Sequence, residues 1–209
     1  MSLARRAAAE AVGTAFLLAA VVGSGIMGER LSGGSVAIAL LANSAATGAA
    51  LVALILTLGA AMNPLVTVSE ALRRVIPWHD VPGLVLAQLA GAVLGVLAAN
   101  AMFELPAVSL SQHARSGGAQ WLSESIATFG LLLVVIRARE PALAVGGYIA
   151  AAYWFTSSTS FANPAVTVAR ALTDTFAGIR PADVGGFVAA QLAGGAAATG
   201  FGIWLGGKR

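Results

Sequence analysis

Long apolar runs, separated by short polar turns, dominate this chain. About 20 mostly apolar residues are enough to cross the hydrocarbon core of a bilayer as a helix. Runs of this kind occupy residues 10–28, 35–58, 82–103, 119–136, 141–157 and 183–206. The pattern predicts an all-α membrane protein with six transmembrane helices.

Two further segments, 59–76 and 158–178, are semi-apolar and too short to cross the bilayer completely. Each holds an Asn-Pro pair near its start. Asparagine is a good helix N-cap, and proline suits the first helical turn because its missing N–H would have no partner there. About ten residues of helix after each proline, ending near Arg73 and Asp174, would span about 15 Å, half of a hydrocarbon core. The pattern predicts two re-entrant half-helices.

The two halves of the chain repeat each other. The segments AMNPLVTVSEALRR and FANPAVTVARALTD share N-P-x-V-T-V-x-x-A-L at an offset of 100 residues. The spans before them carry Glu10 and Glu124, and the spans after them carry Gln88 and Gln191. Three spans per half is an odd number, so the halves must enter the membrane from opposite faces. We predict one channel domain over 1–209, built from inverted repeats at about 1–105 and 119–209.

In such a repeat the half-helices meet near the midplane with their positive N-terminal ends together. Irregular backbone at that depth is tolerated only if it is buried in protein or faces water. The arrangement therefore favours a pore over the alternative, a Pro-kinked element without transport.

Composition narrows the class of protein. With 58% hydrophobic and 10% charged residues, the chain has too little charge to cover a water-soluble surface. It lacks cysteine, and His79 and His113 are too few and too scattered for a metal site. No Ser/His/Asp set or phosphate-binding glycine loop points to an enzyme. Neither a cofactor nor a nucleic-acid partner is expected, since no Lys/Arg run exceeds two residues.

The charges predict the orientation. An N-terminus in the cytoplasm leaves only Arg30, Arg115, Arg170 and Arg180 outside. The eight basic residues predicted on the cytoplasmic side are Arg5, Arg6, Arg73, Arg74, Arg137, Arg139, Lys208 and Arg209. This excess predicts a multi-pass protein of the bacterial inner membrane with both termini in the cytoplasm. The four tryptophans, Trp78, Trp121, Trp154 and Trp204, all fall near predicted span ends, as in an interfacial aromatic belt.

The paired Asn-Pro motifs, the Glu spans and the Gln spans resemble the aquaporin and aquaglyceroporin family, the major intrinsic proteins, over essentially the whole chain. The resemblance implies a homotetramer with one pore per subunit. In each pore Asn63 and Asn163 would donate N–H groups to a file of water or small solutes. The resemblance also implies that Glu10 and Glu124 brace the loops; the alternative for buried carboxylates is a proton relay. The motif residues would be Asn63, Pro64, Leu65, Asn163, Pro164 and Ala165.

The sequence departs from the family pattern at two positions. Leu65 stands where alanine is usual, and Val166 stands where most members have the arginine of the outer selectivity filter. Losing that guanidinium predicts a wider filter that is less specific for water. Some bacterial members without this arginine are associated with arsenic resistance, and the chain resembles that group.

The family's spacing predicts the other filter residues. Ser160 is one, and Asn43 is another, with Ser44 in its place if the register slips by one. The fifth-span position falls between Ala151 and Tyr153. Such a filter fits uncharged polyols and metalloid hydroxides better than water alone.

Arg170, four residues after Val166, could place the missing charge one turn further out. Alternatively it pairs with Asp174 or meets lipid headgroups. Glu70 holds the matching place after Asn63, so the two vestibules would carry opposite signs.

We therefore expect a passive channel for small neutral solutes, with arsenite-like trihydroxides, glycerol and water as permeants and negligible proton current. A dedicated water channel is the nearest alternative. A secondary transporter is more distant; it would need an ionisable residue at the midplane, where only Glu10 and Glu124 qualify.

Overall fold

A computed structural model describes residues 1–206, and Lys208 and Arg209 lie outside the described residues. Within that range the chain forms eight α-helices and a short 3₁₀ turn at Trp78–Asp80. The helices are α1 (Leu3–Leu31), α2 (Val36–Leu58), α3 (Pro64–Leu72), α4 (Val81–Met102), α5 (Gly118–Arg137), α6 (Pro141–Phe155), α7 (Pro164–Arg170) and α8 (Pro181–Gly206).

The helices confirm the predicted fold class. α1, α2, α4, α5 and α8 are long and apolar enough to cross a membrane, and α6 is a shorter apolar helix of 15 residues. α3 and α7 are the two half-helices, of nine and seven residues. The four tryptophans lie at or near helix ends and are 44–72% exposed, as expected of an aromatic belt.

The second half-helix is shorter than the sequence predicts. α7 ends at Arg170, four residues before Asp174. The carbonyls just beyond it, of Ala171 and Leu172, accept hydrogen bonds from the main-chain N–H groups of Ser111 and Ser109. The loop between α4 and α5 thus takes up carbonyl groups that would accept hydrogen bonds within the helix if α7 continued for another turn.

Small residues allow the long helices to pack closely. α1 packs on α4, where Gly91 and Gly95 leave no room for a Cβ atom against the backbone of Ala11 and Ala15. α5 packs on α8 in the same way, with Gly194 against Ser125. Close backbone approach of this kind is typical of helices in membranes. The two helix pairs enclose the half-helices, whose apolar residues Leu65, Val66, Ala165 and Val166 lie in the main buried core.

Candidate pore

The two half-helices begin side by side, and their asparagines join them. Asn63 and Asn163 occupy the N-cap positions, where each Oδ1 accepts from at least one main-chain N–H group of its own helix. The Nδ2 of Asn63 donates to the carbonyl of Ala162 at 2.9 Å, and the Nδ2 of Asn163 donates to the carbonyl of Met62 at 2.7 Å. An amide nitrogen carries two hydrogens, so each asparagine has one N–H left to donate. Both asparagines also line a cavity.

The residue before each asparagine has an unusual backbone. Met62 and Ala162 have φ angles of 51° and 50°, in the left-handed region that non-glycine residues rarely adopt. Such backbone angles cost energy and persist only where the surrounding structure fixes them. Here the loops are fixed by hydrogen bonds to two buried carboxylates, those of Glu10 and Glu124.

Glu10 anchors the first of these loops. Its two carboxylate oxygens accept from the main-chain N–H groups of Ala61 at 2.7 Å and Met62 at 2.6 Å. The side-chain amide of Gln88 adds a third donor at 2.9 Å and also donates to Thr67 in α3. Glu10 is only 6% exposed, and these three donors replace the hydrogen bonds that its carboxylate would make to water.

Glu124 repeats this arrangement in the second half. It accepts from the N–H groups of Phe161 and Ala162, both at 2.9 Å, and from Gln191 at 2.6 Å. The hydroxyl of Ser158 adds a further bond at 2.6 Å, which the first half lacks. Carboxylates that serve as acceptors for fixed backbone N–H groups are suited to bracing. A proton relay or ion-coupling site would need them to exchange protons or ligands, so the contacts favour the structural role for both residues.

A cavity of about 250 Å³ runs past the asparagines. Its polar lining residues are Thr47, Asn63, Glu70, Tyr153, Ser160, Asn163 and Arg170. Most of the apolar lining residues come from α1, α2, α5 and α6, among them Leu17, Leu51, Leu131 and Val145. Leu65, the departure from the first motif, is buried and is not among the lining residues, whereas the neighbouring Val66 is. Glu70 and Arg170, the pair predicted to give the two vestibules opposite signs, both line the cavity.

One end of the cavity holds most of the predicted filter. The cavity is lined by three of the predicted filter residues, Val166, Ser160 and Tyr153. The hydroxyl of Tyr153 lies 3.3 Å from that of Thr47, joining α6 to α2 across the passage. No hydrogen-bond partner of the buried Ser160 hydroxyl lies within residues 1–206.

The structure places the predicted second-span residues elsewhere. The Asn43 side chain donates to the carbonyl of Val21 at 2.8 Å and to the Ser24 hydroxyl at 2.9 Å, both in α1. Ser44 accepts a 3.0 Å bond from the indole of Trp154. Neither is a lining residue, whereas Thr47, one turn beyond Asn43, is.

Two buried arginines lie beside Phe161, which is itself a lining residue of the cavity. Arg170 is 2% exposed, and its Nε donates to the carbonyl of Ala177 and not to Asp174. Arg115, from the loop before α5, donates to the carbonyl of Gly178 at 2.8 Å. Burial lowers the pKa of Arg115 to about 10, which still leaves it charged at neutral pH. The sequence predicts Arg115 only as a charge outside the membrane, because a loop residue gives no periodic signal of burial.

Known proteins match the chain in sequence and fold. Residues 1–142 match the model of the major intrinsic protein family. Aquaglyceroporin AqpS of Rhizobium meliloti (strain 1021) is 50% identical over 213 residues, covering 97% of this chain and 91% of that protein. Aquaporin NIP6-1 of Arabidopsis thaliana is 32% identical over 158 residues, covering 70% of this chain and 48% of that protein.

The X-ray structure of the aquaglyceroporin from Plasmodium falciparum has the same fold, with a TM-score of 0.66 over 97% of this chain and 95% of that one at 19% identity. The family match covers more than half of the chain, and the bacterial relative covers nearly all of it. The chain therefore belongs to the major intrinsic protein family and is a channel protein, not an enzyme.

Proposed function

We propose that this channel conducts glycerol and uncharged metalloid trihydroxides such as arsenite, together with water. The observation that carries the proposal is the make-up of the cavity lining, in which the apolar Val166 occurs together with the hydroxyl-bearing residues Thr47, Tyr153 and Ser160. We assign the second-span filter position to Thr47 in place of Asn43.

This lining is amphipathic. A polyol or trihydroxide loses hydrogen bonds to water when it enters a narrow passage, and leaving its hydroxyl groups unpaired would cost about 1–3 kcal/mol for each. The hydroxyl groups of Thr47, Tyr153 and Ser160 can replace those bonds. Val166 offers an apolar surface to the carbon backbone of glycerol. The relative from Rhizobium meliloti is itself named an aquaglyceroporin, in agreement with this proposal.

Past the filter, the free N–H donors of Asn63 and Asn163 orient the solute at the junction of the half-helices. The positive N-terminal ends of α3 and α7 converge there and oppose cations. We further propose the homotetramer and the inner-membrane orientation with cytoplasmic termini that the sequence predicts. Chemical cross-linking in membranes and accessibility of a tag at the N-terminus test these two points.

The experiment that tests the permeants compares water, glycerol and arsenite uptake by proteoliposomes in a stopped-flow instrument. Wild type and Val166→Arg are measured side by side. We expect the wild type to pass all three and the variant to lose glycerol and arsenite flux while water still passes, because arginine narrows the filter. Water flux without solute flux in the wild type would instead identify a dedicated water channel and contradict the proposal.

A further inference from the structure

A buried positive charge, the guanidinium group of Arg170, lies beyond the filter on the side away from the asparagines. Arg170 follows Val166 by four residues on α7, a separation of about one helical turn and about 6 Å along the axis. Both residues line the same cavity, so they lie on the same side of the helix. The guanidinium carbon of Arg170 is 3.4 Å from the centre of the Phe161 ring, and that of Arg115 is 5.1 Å from it.

Neither arginine forms an ion pair with an acidic side chain of the described residues. The ion pairs within residues 1–206 are Arg6–Asp80, His79–Asp80 and Arg180–Asp183, and none involves Arg115 or Arg170. An unpaired charge inside a membrane protein is costly and is most often retained for function. The C-terminal end of α7 and the carbonyl of Ala177 offset part of that cost for Arg170.

The remaining donors of Arg170 are available to the passage. A guanidinium has five N–H groups, and only the one on Nε has a partner within the described residues. Because Arg170 lines the cavity, its terminal nitrogens can meet water or a passing solute there. Arg115, by contrast, uses its nitrogens on the carbonyls of Gly178, Ser158 and Phe176 and lies outside the cavity lining.

We propose that Arg170 is the charge filter of this channel: it excludes cations one turn outside Val166, and Arg115 adds a second positive charge behind Phe161. The inference rests on the proposed channel function. Selection by charge and selection by size would then use different residues. A solute would pass Arg170 first and would meet the uncharged constriction at Val166, Thr47 and Tyr153 afterwards.

Urea and guanidinium are suitable probes because they have nearly the same planar shape and differ in charge. Tracer uptake of both is measured in proteoliposomes of the wild type, Arg170→Met and Arg170→Lys. We expect the wild type to pass urea and exclude guanidinium. In Arg170→Met, guanidinium uptake should rise about 100- to 1,000-fold, as expected from removing one like charge about 4–6 Å from the path at an effective dielectric constant of about 20. Arg170→Lys keeps the charge and should keep the exclusion.

Arg30→Met is the matched control. Arg30, in the last turn of α1, also stacks on a phenylalanine, with its guanidinium carbon 5.2 Å from the centre of the Phe103 ring, but it is exposed and does not line the cavity. Its loss should leave guanidinium excluded. Unchanged exclusion in a folded Arg170→Met, or an equal rise in Arg30→Met, would overturn the proposal.

The wild type alone also tests the idea if Arg170→Met does not fold. Equal urea and guanidinium uptake by the wild type would refute a positive barrier at the mouth. The absence of uptake of any neutral solute, water included, would instead count against the channel function, so the two failures are distinguishable.

Discussion

The side-chain amide of Asn163 donates a 2.7 Å hydrogen bond to the carbonyl of Met62 across the junction of the half-helices. The Oδ1 of the same side chain accepts from the N–H groups of Ala165 and Val166, at 3.0 and 3.3 Å. One residue thus caps its own helix and holds the opposite loop. The matching bond from Asn63 to Ala162 makes the connection reciprocal.

We expect Asn163→Ala to lower the free energy of unfolding by about 2 kcal/mol, since it removes an N-cap worth about 1 kcal/mol and leaves a buried carbonyl without its donor. Denaturant or thermal unfolding in detergent measures the loss. Gln112→Ala, at an exposed loop residue, is the control and should change stability by less than about 0.5 kcal/mol. Equal stability of the two variants would show that the junction does not depend on this amide.

The bracing role of Glu124 predicts a different effect. In Glu124→Gln an amide NH₂ replaces a carboxylate oxygen that accepts from donors such as Phe161 and Ala162. At least one buried N–H then loses its acceptor, which should cost about 1–3 kcal/mol and reduce water and solute flux together as the loop loosens. Unfolding and stopped-flow permeability report the two effects.

Glu29→Gln, at an exposed position near the end of α1, controls for the change of charge and should behave as wild type. The same pair of variants tests the transporter alternative. If the wild type accumulated a solute against its gradient, and Glu124→Gln abolished only that accumulation without loss of stability, the carboxylate would be a coupling site and not a brace.

The half-helices were predictable because their signals are local. An asparagine followed by proline sets an N-cap and a first turn with no help from the rest of the chain, and the structure places Asn63 and Pro64 in those positions. The Glu and Gln positions were predictable from the repeat, because equivalent residues in the two halves have equivalent partners. Glu10 and Glu124 accordingly each accept two loop N–H groups and one glutamine amide.

The lining of the proposed filter depends on contacts that no local pattern encodes. Asn43 occupies the position that the spacing favours, but its amide finds acceptors in α1, and Thr47 lines the cavity one turn further along. The burial of Arg115 depends on how a loop with no periodicity folds over residues 158–178. Such long-range choices need the three-dimensional structure.

The assignment of Thr47 to the filter can be tested with a variant whose side chain has nearly the same shape. Thr47→Val keeps the volume of the side chain and removes the hydroxyl that lies 3.3 Å from Tyr153. We expect glycerol permeability to fall about 5-fold, since the solute loses one hydrogen-bond partner worth about 1 kcal/mol at the constriction. Thr57→Val on the exposed side of the same helix should leave permeability unchanged. A fall in both variants would point to a general effect on α2.

The packing of α1 on α4 can be tested with two glycines of one helix. A Cβ atom at Gly91 would overlap the carbonyl of Ala11, whereas one at Gly83 would meet only Leu3, at 3.8 Å. Gly91→Ala should therefore destabilise the protein by about 1–3 kcal/mol, because the helices must separate. Gly83→Ala should be neutral or stabilising, since alanine favours the helix by about 1 kcal/mol. Thermal unfolding of both variants compares them directly, and similar losses would mean that close approach is not what Gly91 provides.

His113 gives the loop between α4 and α5 a predictable response to pH. Partial burial of its imidazole lowers the pKa below 6.5, and the nearby charges of Arg115 and Arg170 lower it further, while Asp174 acts in the opposite sense. The unfolded chain therefore binds more protons than the folded chain at pH values just below 6.5. The contribution of His113 to the free energy of unfolding is fully present above pH 6.5 and declines as the pH falls towards the pKa of the folded state.

We expect His113→Gln to remove that part of the pH dependence, so that its melting temperature falls less than that of the wild type between pH 7 and the acid range. A His79→Gln background leaves His113 as the only histidine of the 209-residue chain, and NMR titration of its imidazole in detergent then gives the pKa directly. A value at or above 6.5 would contradict the prediction. It would mean that Asp174 outweighs both the burial of the imidazole and the positive charge around it.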